Sequence, residues 1–293
     1  MAAYDRQYLQ NQRAKLFSRI TREYSELREP ARKLYDFTLE ELTVASLILS
    51  GTRLTPAASD TILKKLTPRV KDVLLEYDRI IREGARSAAS RAIQTQVNYL
   101  NAHGIKPLSD AQRAEILEEV VENLDKPFPI GSRMNMTARL ARIGRNHVQQ
   151  IGKLLKESHE EKPKEIIAKK LSSAIKHSAK GRAGVKGGSF VKDAQRLLTA
   201  EEARIAREAE ITYAKRTGVL YGYWRLSPRH PDYGGREVCD LLSSETDSDT
   251  VMSLKDSGNL SRVSELGGLY KLDQWPEYPH PFCICYMEPK IIG

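Results

Sequence analysis

Cysteine is scarce in this chain. There are three in 293 residues, Cys239, Cys283 and Cys285, and none before position 239. So odd and so confined a set excludes a disulfide framework as the main stabilising device and fits a reducing, cytosolic origin. Aromatic residues are also few, at 7%, which implies modest cores. No apolar run approaches the ~18 residues of a membrane-spanning helix. The opening Met1-Ala-Ala-Tyr-Asp-Arg6 lacks the basic-then-apolar pattern of a secretory signal. The chain has no Gly-x-Ser-x-Gly elbow and no His-Glu-x-x-His, which removes two common hydrolase signatures.

What is present is a helical pattern. Hydrophobic content is 40% and charged content 29%, a balance expected of a soluble, helix-rich chain with room for one large or two modest domains. Leu9, Leu16, Phe17, Ile20, Tyr24 and Leu27 recur at helical spacing. Thr38-Leu-Glu-Glu41 reads as a capping box opening a short helix closed by Gly51. Residues 60–102 form a long stretch with Leu63, Leu66, Val70, Val73, Leu74, Tyr77, Ile80 and Ile81 on one stripe, and Pro68 and Gly84 as candidate breaks. His103-Gly104 marks its end. Ser109-Asp-Ala-Gln112 caps a further helix that stops before Pro127. Ser132 to Ser158 is a basic amphipathic helix. Thr199-Ala-Glu-Glu202 opens another, with Gly218 as its C-cap, and residues 219–226 then read as a strand. The fold class is mainly α. A helical body (1–160) and a basic Gly/Lys-rich hinge (161–198) precede a small, loop-rich α+β C-terminal module (199–293).

The net charge is +9. From Lys162 to Lys192 nine basic residues face only Glu165, so this stretch alone carries +8. Such a stripe suits an anionic polymer, with Lys169, Lys170, Lys176, Lys180, Arg182, Lys186 and Lys192 as candidate nucleic-acid contacts. A solvated basic linker is the competing reading, since Phe190 is the one aromatic among them. Arg133, Arg139, Arg142 and Arg145 would form either a phosphate-binding or a solvated helix face. The loop Lys180-Gly-Arg-Ala-Gly-Val-Lys-Gly-Gly188 lacks the Gly-Lys-Ser/Thr ending and preceding strand of a P-loop.

The cysteines sit among candidate ligands. His280, Cys283 and Cys285 fall within six residues, and Cys239 or His230 would close a tetrahedral zinc site. Against this, Cys-x-x-Cys spacing is missing. Packed apolar cysteines, or a disulfide from Cys239 to Cys283 or Cys285 formed after cell lysis, are the other readings. A zinc deaminase pattern fails, because Pro-Asp follows His230 where His-x-Glu is required. Glu245, Asp247 and Asp249 lack the glycine and terminal glutamate of an EF-hand. His147, His159 and His177 occur singly and read as surface residues. No other cofactor is called for.

The C-terminal motifs in their order carry a resemblance. Ala203-Arg-Ile-Ala-Arg-Glu208 is followed by Gly222-Tyr-Trp224 and Leu226-Ser-Pro-Arg-His-Pro231. Cys239-Asp240 and Pro279-His-Pro-Phe-Cys-Ile-Cys285 come next. This series resembles the C-terminal domain of tailed-phage minor head proteins, the Mu F-like head morphogenesis family, over roughly residues 200–288. Many members have Arg-Thr-Glu where this chain has Arg207-Glu208-Ala209, and Cys-x-x-Cys where it has Cys239 alone. The resemblance implies a structural virion protein made in the host cytoplasm. It would associate with the portal or major capsid protein at the head interior and with packaged double-stranded DNA, without enzymatic activity or a membrane.

Two readings compete with it. One is an enzyme, a nuclease or transferase, built on His230, Asp232, Cys239, Asp240 and His280. The other is a non-specific nucleic-acid-binding protein whose affinity lies in residues 133–192.

Overall fold

The computed structural model describes residues 5–23, 26–48, 55–127, 134–157, 170, 190–225, 269–271 and 285–291. Through them run α1 (Arg6–Glu23), α2 (Arg28–Ile48), α3 (Pro56–Ala102), α4 (Asp110–Glu122) with a 3-10 turn at Asn123–Asp125, α5 (Met136–Glu157) and α6 (Phe190–Arg216). Three short strands follow: β1 (Tyr221–Arg225), β2 (Leu269–Lys271) and β3 (Tyr286–Lys290). The chain is therefore mainly helical with a small antiparallel sheet contributed by its C-terminal part.

It divides into two compact units. Unit 1 comprises Met1–Arg22, Ile81–Asn135 and Leu198–Gly293; unit 2 comprises Glu23–Ile80 and Met136–Leu197.

In unit 2 the stripe on α3 packs as its spacing predicts. Leu66, Val70, Val73, Tyr77 and Ile80 are buried. Tyr77 donates a hydrogen bond to the Leu27 carbonyl at 2.9 Å. Burial raises its phenol pKa far above the ordinary value, so the group stays a neutral donor. Pro68 does not break α3. It and Lys64 are exposed, so water can serve the carbonyl that proline leaves without an N–H. Gly84 is buried within the same helix and does not break it either.

Two capping boxes expected from the sequence are not caps. Thr38 lies inside α2, buried, with its hydroxyl donating to the Leu34 carbonyl at 2.7 Å. A threonine can satisfy itself this way in mid-helix, so the signal was not unique to a start. Thr199 lies inside α6, which begins at Phe190. There Phe190, Val191, Ala194, Leu197 and Leu198 are buried, and that packing extends the helix past the local start signal.

The third box is real. Ser109 accepts from the Gln112 backbone N–H, and the Gln112 side chain accepts from the Ser109 N–H at 3.0 Å. Gly104 and Gly218 take φ of +83° and +86°, the left-handed conformation that ends α3 and α6.

In unit 1, β1 is the central strand, between β2 and β3. Trp224 pairs with Met287, and Gly222 pairs with Pro289. Proline is tolerated there because β3 is an edge strand, where a missing ladder donor costs least. The sheet follows α6, whose residues 201–207 are buried on every side. Ala200, Ala203, Ala206, Ala209 and Ala214 are fully covered. Small side chains let neighbouring elements approach this helix closely, so its charged residues are buried as well.

Candidate functional site

The α6 helix of unit 1 carries buried charge at i, i+3 and i+4 spacing, and each buried group has a different solution to the loss of water. Arg204 is 3% exposed. Its guanidinium donates to Glu201 at 2.9 Å, to Glu208 at 2.9 Å and to the Asn123 carbonyl at 2.9 Å. Asn123 in turn donates to Glu208 at 2.7 Å. This network joins α6 to the 3-10 turn after α4. Burial works against the charge on Arg204, but Glu208 and Glu201 outweigh it and hold the group more firmly protonated than usual.

Arg207, one turn further along, donates to the carbonyl of Cys285. Its guanidinium carbon lies 4.6 Å from the centre of the buried Trp224 ring. One side chain therefore joins α6, β1 and the residue that leads into β3. Stacking on the aromatic face and donation to a carbonyl use the planar fork that distinguishes arginine from lysine. Arg225 pairs with Glu288 across the β1–β3 ladder.

A third arginine, Arg13 of α1, is 3% exposed and faces Glu210 of α6 at 3.6 Å, beyond hydrogen-bond distance. Burial raises the Glu210 pKa, and Arg13 and Arg207 only partly oppose that. None of the three Arg13 side-chain nitrogens has a hydrogen-bond partner, nor does Glu210 Oε2. Both residues line a cavity of about 270 Å³.

Among the zinc candidates only Cys285 falls within the described residues, and it is fully buried. Cys239, His280, Cys283 and His230 lie outside them, as do Asp232 and Asp240 of the enzyme reading. Among the described residues no group of three or more His, Cys, Asp or Glu could hold a metal ion. Of the basic candidates, Lys170 and Lys192 are described, both half-buried; Lys169, Lys176, Lys180, Arg182 and Lys186 lie outside. On α5, Arg142 and Arg145 are exposed and Arg139 is half-buried, while Arg133 lies outside. No described helix is long and apolar enough to cross a membrane.

His147 corrects an expectation: it is not a surface residue. It is 3% exposed and stacks on Phe190, with ring centres 4.5 Å apart and planes inclined by 20°. Neither ring nitrogen has a hydrogen-bond partner, and burial lowers its pKa to about 4. Its basic neighbours in sequence concealed that it sits on the apolar stripe with Leu140, Ile151 and Leu155. His159 and His177 lie outside the described residues.

The buried arginines of α6 were also missed. The signal was the placing of Glu201, Arg204, Arg207 and Glu208 among alanines, with opposite charges at helical spacing. Comparison of the chain with protein-family models, with curated proteins and with solved structures finds no match.

Proposed function

We propose that this chain is a structural component of a tailed-phage virion, a minor head protein that acts by binding rather than by catalysis. One observation carries the reading. Three separate pieces of the C-terminal motif series, the Ala203–Glu208 helix segment, Gly222-Tyr-Trp224 and the terminal Cys285, meet at the Arg207 side chain. Motifs far apart in sequence that converge on one buried clamp belong together as a module. The Arg204 network then fixes that module to α4 and its 3-10 turn.

In this reading the N-terminal helices dock on the portal or major capsid protein at the head interior. The basic segment faces packaged double-stranded DNA through Lys169, Lys170, Lys176, Lys180, Arg182, Lys186 and Lys192. Binding there would be sequence-independent and driven by counterion release. Zinc held by Cys239, His280, Cys283 and Cys285, or with His230, would tie the segments that carry these residues to the Arg207 clamp. A thiol as buried as Cys285 suits a closed structural site.

The test has two arms. Co-expression with the portal and major capsid proteins of the phage that encodes it is expected to leave the chain with sedimenting particles; a chain that stays in the supernatant overturns the virion reading. In the second arm, duplex DNA binding is measured against salt for the full chain and for a variant with the seven basic residues changed to Gln. Neutralising seven contacts should flatten the logarithmic salt slope by up to about 6. Equal slopes would remove the segment from the account.

A further inference from the structure

Unit 2 carries two exposed surfaces of opposite charge. The first is an open groove of about 770 Å³ along α2 and α3. Pro30 and Phe37 are half-buried in it and supply apolar surface. Six carboxylates and three cations line it, a balance of −3 on a chain whose net charge is +9. Two of the cations are engaged, Arg79 with Glu76 at 2.6 Å and Arg69 over the Phe37 ring. Asp36, Glu40 and Asp72 are exposed, and none of them forms an ion pair with a described residue.

The second surface is the outer face of α5. Arg142, Arg145, Gln149, Lys153 and Lys156 are exposed and follow one another at steps of three or four residues, which places them on one side of the helix. No acidic residue precedes Glu157 in α5, and none of these four cations pairs with a described residue. The exposed Arg79, Arg86 and Arg216, by contrast, each hold a carboxylate at 2.6 Å or less. α5 lies against Leu63 and Leu74 of α3 at Gly152 and Gly144, and a Cβ at 144 would clash with Leu74. At 3.6 residues per turn, Asp72 and Glu76 point about 200° away from Leu74, so the groove and α5 flank α3 on opposite sides. The two surfaces also match in length. From Arg142 to Lys153, and from Glu29 to Glu40, the chain advances eleven positions, about 17 Å of helix in each case.

We propose that unit 2 associates head to tail with a second copy of this chain, the outer face of α5 in one copy seated in the α2–α3 groove of the next. The guanidinium and ammonium groups of α5 meet Asp36, Glu40 and Asp72, and the Arg and Lys stems lie along Pro30 and Phe37. A second copy satisfies both surfaces at once. Nucleic acid would suit α5 alone, because the groove repels it, and a basic protein would suit the groove alone. Since the two surfaces differ, the contact is heterologous and propagates to a ring or a filament. It does not depend on the virion reading.

Sedimentation velocity of the nuclease-treated full chain tests this at low and high salt. At low salt the mass should exceed the 33.1 kDa of one chain and rise with concentration. At roughly 1 M salt, where charges are screened beyond about 3 Å, it should return to that of one chain. Two charge-reversed variants give the decisive comparison, Arg142→Glu/Arg145→Glu and Asp36→Lys/Asp72→Lys. All four positions are exposed, so both variants should keep the wild-type helical circular dichroism. Each variant alone should sediment as single chains, because like charges then face each other. An equimolar mixture should associate again, because each reversed surface meets its complement on the other variant. Wild type that stays a single chain at low salt overturns the proposal, as does a mixture that does not associate. An α5 variant that associates like wild type would mean that something else fills the groove, and association that nuclease removes would mean bridging by nucleic acid; either result also overturns it.

Discussion

His147 gives the sharpest test of the packing in unit 2. An ordinary histidine titrates near 6.5. Burial against Phe190 holds this one at about 4, so the folded protein resists a proton that the unfolded chain accepts. Between those values the unfolded state binds more protons, and stability must therefore rise with pH. It is lost as pH falls below 6.5, and the loss levels off once the folded-state group also titrates, near 4. At about 1.4 kcal/mol per pH unit, linkage gives a cost of about 1.4 kcal/mol at pH 5.5 and about 2.5 kcal/mol at pH 4.5. Glu210 and Asp193 act in the opposite sense, because burial raises their pKa values and they favour the folded state at low pH. The comparison must therefore be wild type against His147→Phe, in which those carboxyls cancel. Phenylalanine keeps a ring against Phe190 and removes two buried nitrogens without partners. The variant should be the more stable by about 1 kcal/mol at pH 7.5, and its advantage should grow by about 2.5 kcal/mol at pH 4.5. Urea unfolding followed by far-ultraviolet circular dichroism at each pH measures it. An advantage that does not change with pH would refute the burial of a neutral imidazole.

Two further outcomes follow from the C-terminal module. Arg207→Leu removes the bond to the Cys285 carbonyl and the stack on Trp224, and should cost about 2–4 kcal/mol in urea unfolding read by tryptophan fluorescence; Arg207→Lys should restore only part of it, and a loss below about 0.5 kcal/mol would remove the clamp from the account. Mass spectrometry of chelator-free protein should find about one zinc per chain, lost in Cys283→Ser together with thermal stability, whereas metal-free protein with an unchanged melting profile in the variant would eliminate the metal.

The local signals that the structure bears out share one property: they are complete within a few residues. The Ser109 capping box, the left-handed glycines at 104 and 218, and the strand at 221–225 need no distant partner to be read. The stripe from Leu66 to Ile81 is legible for a similar reason, since one face repeated over several turns demands a helix. The signals that failed were incomplete. Thr38 and Thr199 carry the letters of a cap, yet neighbouring apolar residues found partners and the helices ran on through them.

By itself, then, the sequence determined the helical class, the turns at Gly104, Ser109 and Gly218 and the concentration of charge at 162–192. Periodicity, capping and turn chemistry act over short distances along the chain, and charge can be counted. Only the tertiary structure decided which polar groups lose water. Arg142 and His147 are five positions apart on α5, yet one is exposed and the other packs against Phe190 from α6. Arg13 and Glu210 stand about two thirds of the chain apart and meet at 3.6 Å beside a cavity. Desolvation depends on what arrives from elsewhere, and the chemistry of Arg13, Arg207 and His147 was fixed by those arrivals.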